Sequence, residues 1–202
     1  MKYYRTETLE AIARNVLTQY QPNYLNLEPQ AVPLERLIDE VFGISIEYMR
    51  LTESGNELGR MIFDNGYSTR FDVEADNYEL VRVEAGTMLI EARLLEDAKQ
   101  YGRYRFTLAH ELGHWILHKD IFSGTGVAAA SYTTDKDGIE SVEWQANYLA
   151  KAILMPKGQV KRAFYQVQSE SVAYTVAVLA NLFEVSMQAM KIRLGEIGLI
   201  SV

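Results

Sequence analysis

RFTLAHELGHWILH, residues 105–118, contains every histidine of the 202-residue chain: His110, His114 and His118. On a helix, four residues advance about 400° and ~6 Å, so His110 and His114 project from nearly one face and can share one ion. The pattern is H-E-x-x-H. Glu111 lies about 100° round from His110, at the edge of that face, where it reaches a water on the ion without ligating the ion. Leu108, Leu112 and Trp115 take the opposite side and form the apolar back that seats such a helix in a core. Two histidines one turn apart can also merely pack; the helical context and the lack of any imidazole outside this stretch favour the ion. His118 falls about 80° and ~12 Å from His110, too far to join an ion that already uses both earlier rings. It is expected to cap the C-terminal end of the helix, where a partly charged imidazole is favoured.

A catalytic zinc takes three protein ligands and leaves the fourth position to water. Zinc is the default for two imidazoles and a carboxylate, with Mn2+ and Fe2+ as alternatives. With the histidines used, two candidates compete for the third place. Asp120 stands six residues after His114, the spacing of H-E-x-x-H-x-x-G-x-x-H/D, but position 117 is Leu rather than the glycine that would turn the chain back. Glu143 lies in IESVEWQANYLAKAILMP, residues 139–156, whose apolar residues form a helical stripe ending before Pro156. By the ~100° step of a helix, Glu143 points inward with that stripe, whereas Glu140 lies outside it. A carboxylate aimed into a core is costly unless paired or metal-bound. The competing partner for Glu143 is a buried arginine such as Arg105. Asn147, one turn later, is placed to hold a ligand histidine by its other ring nitrogen.

The rest of the chain reads as α+β. Residues 6–20 carry apolar positions at helical spacing, and LERLIDEVFG (34–43) reads as a second helix stopped by Gly43. ISIEYMRL (44–51) alternates like a half-buried strand, residues 54–95 read as short strands between turns, and MLIEARL (88–94) is the clearest of these. Composition is that of an ordinary globular domain, 48% hydrophobic and 23% charged. The absence of cysteine excludes a thiol nucleophile or thiolate metal site and fits a reducing cytoplasm. No apolar run reaches the ~20 residues of a membrane span, and the amphipathic N-terminus does not read as a secretory signal. A net charge of −7, with no basic run longer than Lys161–Arg162, disfavours binding to nucleic acid.

RFTLAHELGHWILH followed by EWQANYLAKAILMP (143–156) resembles the ImmA/IrrE family of zinc metallopeptidases, which are gluzincin-like. GISIEYM (43–49), GTMLIEARL (86–94) and LFEVSMQAMKIRLGEIGLI (182–200) extend the likeness over most of the chain, with 51–86 the weakest part. The resemblance implies His110, His114 and Glu143 as ligands and Glu111 as the catalytic glutamate. It implies a zincin-like metallopeptidase domain over 1–157, its small sheet enclosed by helices, with a C-terminal helix-turn-helix-like segment over 158–202 packed on it. It also implies a cytoplasmic enzyme whose protein substrate is a helix-turn-helix repressor, often encoded nearby, cleaved in a stress or mobile-element response.

Within that reading Glu111 takes a proton from the metal's water and passes it to the leaving amine. The oxyanion donor stays open among Tyr101, Tyr104, Tyr132, Tyr148 and Arg105, and an extended substrate is expected along the sheet edge beside the metal helix. Residues 172–194 resemble a helix-turn-helix with Ser186 as an N-cap, but the second helix offers only Lys191 and Arg193 as cations, few for base readout. Packing or substrate docking is therefore its expected role. The alternative function is a non-catalytic metal-binding regulator or toxin–antitoxin component that acts by binding a repressor.

Overall fold

The computed structural model describes residues 3–124, 141–167, 169 and 171–201. Apolar residues three and four apart make α1 (Thr6–Tyr20), which buries Leu9, Ala13, Val16 and Leu17. Helix α2 (Leu34–Phe42) ends where Gly43 enters the left-handed region at φ 62°, returning its N–H to the Asp39 carbonyl.

Five strands follow: β1 (Ser45–Met49), β2 (Gly59–Ile62), β3 (Gly66–Asp72), β4 (Asn77–Val83) and β5 (Thr87–Glu91). Three of them form a sheet in the order β1-β5-β2, with β1 parallel and β2 antiparallel to β5. β5 is central and buried throughout, as its run of apolar residues requires. β3 and β4 make a separate antiparallel hairpin. β1 is an edge strand whose residues are exposed or only partly buried, so its alternation marks an edge rather than a half-buried strand. The strand expected over 88–94 stops at Glu91. That side chain is buried and needs partners, so the chain turns: its carboxylate accepts from the backbone N–H groups of Leu51 and Arg93 and lies 3.4 Å from Arg50.

The site is carried by α3 (Tyr101–Phe122) and α4 (Val142–Leu154); the hydroxyl of Ser141 caps α4 by accepting from Trp144 N–H. The two helices meet at Gly113, where a Cβ would stand 3.0 Å from the Ala146 carbonyl oxygen and 3.1 Å from its Cα. Helices α5 (Lys157–Gln166), α6 (Val172–Leu182) and α7 (Met187–Glu196) complete the described fold. One apolar cluster runs from Leu9 and Leu37 through Ile90, Leu112 and Leu149 to Phe183 and Leu194.

α6 and α7 are bent by 109° at a four-residue turn, the geometry of a helix-turn-helix. Arg193 is not on offer to DNA, however: it is wholly buried, with Nη1 and Nη2 donating to Glu10 at 2.7 and 3.1 Å and Nε to the Met155 carbonyl. Among the described residues, no single helix is long and apolar enough to cross a membrane.

Candidate metal centre

Helix α3 and the first turn of α4 bring three donor atoms together. His110 Nε2 and His114 Nε2 lie 3.0 Å apart; Glu143 Oε2 is 3.3 Å from the former and Oε1 3.3 Å from the latter. Four-coordinate ligands at 2.0–2.1 Å from an ion stand about 3.3 Å from one another, so this triangle fits such an ion. Among the described residues, these three form the one His/carboxylate group with ligand spacing. Asp120 is exposed near the end of α3 and is not in the group; with Leu117 in place, the helix runs on to Phe122 and never turns back. Arg105 is not Glu143's partner either, since it donates to the Val32 carbonyl and lies 3.4 Å from Glu184.

The groups round the trio follow from the same two helices. Asn147, one turn beyond Glu143, sets Oδ1 3.0 Å from His110 Nδ1. Glu111 is buried and lies against β2: a Cβ on Gly59 would come within 2.8 Å of its Cγ and 2.9 Å of Oε1. The Met61 backbone N–H bonds to its carboxylate, while Oε2 makes no hydrogen bond. On the inner side β2 gives the Leu58 and Ile62 carbonyls to the N–H groups of Glu91 and Gly86. Alternation along a strand then turns Gly59 and Met61 toward the outer edge, where Glu111 sits.

Electrostatics separates the two glutamates. Burial would raise Glu143, but hydrogen bonds from both imidazoles outweigh it and hold its carboxyl well below the usual carboxylate range. Burial dominates at Glu111 and raises its pKa against the opposing pull of His110 and His114. At His110 burial favours the neutral ring, but the bond to Glu143 and the charges of Glu111 and Glu143 prevail and raise its pKa.

His118 does not cap the helix. α3 continues for a further turn and ends with Ser123 N–H on the Lys119 carbonyl. His118 is fully buried, and burial, with His114 adding to it, lowers its pKa to about 4, so it is a neutral ring. Its Nδ1 lies 3.2 Å from His114 Nδ1. The signal was in the spacing: His118 stands to His114 as His114 stands to His110.

Several candidate oxyanion donors are committed elsewhere. The Tyr104 hydroxyl bonds to that of Tyr48 at 2.8 Å, Tyr148 donates to Glu10, and Arg105 is engaged as above. Tyr101 is exposed on the first turn of α3. Tyr132 and Glu140 lie outside the described residues.

The sequence model of the peptidase family described as the IrrE N-terminal-like domain matches residues 67–195, which span both donor-bearing helices. The chain belongs to that family. No curated protein matches the sequence. An IrrE N-terminal-like domain points to a zinc-dependent, protease-like module acting on protein, and the His110, His114 and Glu143 group is compatible with a metal ion.

Proposed function

We propose that this chain is a cytoplasmic zinc endopeptidase that cleaves a helix-turn-helix repressor, with His110, His114 and Glu143 holding the metal and Glu111 moving the proton. One observation carries the reading: a buried carboxylate with a free oxygen lies beside three atoms spaced as metal ligands and against the outer edge of a strand. Two imidazoles, which are borderline donors, beside a single hard carboxylate suit zinc over magnesium or calcium. When bound, zinc polarises a scissile carbonyl and lowers the pKa of a water.

Glu111 does the rest. Met61 N–H fixes one side of its carboxylate and leaves Oε2 free to accept the proton of the attacking water. Its raised pKa suits a group that must hold that proton and then release it to the departing amine. Asn147 Oδ1, facing His110 Nδ1, fixes that ring's proton and leaves Nε2 bare.

An extended substrate would pair with the outer edge of β2, which brings its carbonyl past Glu111. Beyond Asn147 opens a cleft of ≈ 540 Å³ between α3, α4 and α7, lined by Phe106, Ala189 and Ile192 with Arg103 at its rim. It has room for apolar side chains beside the scissile bond. The repressor as substrate rests on the family resemblance.

Mass spectrometry of the repressor encoded beside the gene, incubated with zinc-loaded wild type or Glu111→Gln, tests the proposal. A single defined cut by wild type alone is expected. Cleavage by both proteins would remove Glu111 from the mechanism. Cleavage by neither, with the partners co-eluting, would favour a regulator that acts by binding.

A further inference from the structure

We infer that His118 is a positioning residue that accepts a hydrogen bond from His114 and fixes which nitrogen of that ring is free for the metal. The inference rests on the metal-binding reading above but concerns a residue that the reading does not use. His114 Nε2 faces His110 Nε2 and Glu143 Oε1, so in a ligating ring that nitrogen must be bare and the proton must sit on Nδ1. Nδ1 in turn faces His118 Nδ1 at 3.2 Å. Two ring nitrogens at that distance bond only when one carries hydrogen and the other does not. His118 Nδ1 is then the acceptor, and the His118 proton is on Nε2.

The surroundings enclose this pair of rings. His118 is fully buried, and Phe122 presents its ring edgewise to both imidazoles, at centroid distances of 6.1 Å from His114 and 6.2 Å from His118. A proton added to His118 Nδ1 would set two N–H groups against each other at 3.2 Å in a fully buried place. The two proposed histidine ligands thus have different supports: His110 leans on an amide oxygen, His114 on a neutral imidazole. Groups that orient ligand histidines in this way contribute about 10–100-fold to metal affinity.

Zinc dissociation constants measured by chelator competition, and the visible spectrum of the Co(II)-loaded protein, test this on the full chain. His118→Leu keeps the volume and removes the acceptor; we expect zinc binding about 10–100-fold weaker and an altered Co(II) spectrum. His118→Asn sets Oδ1 where Nδ1 was, and should bind zinc within about threefold of wild type and restore the spectrum. Should His118→Leu not fold, His118→Gln replaces it, since its amide reaches the Nε2 position and leaves the Nδ1 position without an acceptor. Leu or Gln variants that bind zinc as wild type does, or an Asn variant as weak as they are, would overturn the inference. Wild type failing to bind zinc would instead strike the proposed function, so the two failures are distinguishable.

Discussion

Gly113→Ala is the substitution that most directly asks whether helix spacing sets the metal site. Its Cβ would stand 3.0–3.1 Å from the Ala146 backbone, against about 3.5–4.0 Å for relaxed carbon contacts. Backbone cannot rotate aside as a side chain can, so α4 must retreat by roughly 0.5 Å. Overpacking of this kind costs about 1–3 kcal/mol. Replacing a mid-helix glycine returns about 1 kcal/mol. The net loss is about 0–2 kcal/mol, a fall in Tm of up to ~8 °C for a chain of this length. The metal should feel it more, because Glu143 rides on α4 while both histidines ride on α3, and ligand distances tolerate only about ±0.2 Å. Zinc affinity should fall at least tenfold, or ~1.4 kcal/mol. Gly102→Ala is the control: its Cβ meets Ser186 N and Val185 C at 3.0 and 3.1 Å, a similar clash far from Glu143. Thermal melts of the metal-free proteins and zinc titrations with a competing chelator give both quantities. If Gly113→Ala binds zinc as tightly as Gly102→Ala while melting as low, contact between the helices does not set the ligand triangle, and the reasoning fails.

Gly59→Ala drives a methyl to within 2.7 Å of Thr107 Cγ2 and 2.8 Å of Glu111 Cγ, so kcat should fall at least tenfold with zinc affinity kept; unchanged kcat would separate Glu111 from the β2 edge. Because the bond to Glu143 and the neighbouring carboxylates raise the pKa of His110, zinc must displace a proton from it, and affinity should decline as pH falls, the decline beginning at higher pH than for an ordinary imidazole. Calorimetry in buffers of different ionisation enthalpy counts that proton, and a release profile no higher in pH than that of a free imidazole would contradict the shift. Glu10→Gln removes the bidentate partner of the buried Arg193 and leaves it the Glu196 carboxylate, 4.0 Å away, so it should cost up to about 3–5 kcal/mol without changing zinc affinity; a loss under ~1 kcal/mol would mean Glu196 takes over the pair. Ile192→Arg fills the cleft beside Asn147 and should raise KM for the repressor more than it lowers kcat, whereas an unchanged KM would place the substrate elsewhere.

The parts legible in the sequence were those governed by one period within one element. Residues 6–20 spaced their apolar positions at helical intervals and are α1 from end to end; Gly43 ended α2 because only its left-handed φ lets the chain leave there. The ring nitrogens of His110 and His114 could be placed together by arithmetic on a single helix; Glu143 does reach them, but its side chain is 44% exposed, so it stands at the margin of the α4 stripe and not within the core as its phase suggested. Contacts between elements were mostly not legible, Asn147 against His110 being the exception. Nothing local to Glu91 says that its carboxylate will cap a turn and end β5 early, because its partners Arg50 and Leu51 come from a distant strand end. Gly59 likewise reads as a turn residue until β2 is laid against α3, where the missing side chain makes room for Glu111. His118 is the instructive case, since its position was legible and its role was not. It stands outside the donor trio, as its distance from His110 implied, and its relation to His114 decides what it can do: 3.2 Å away and fully buried, it can support that ring. Three histidines at intervals of four thus need not be three ligands; a row whose last ring braces the one before it satisfies the same spacing.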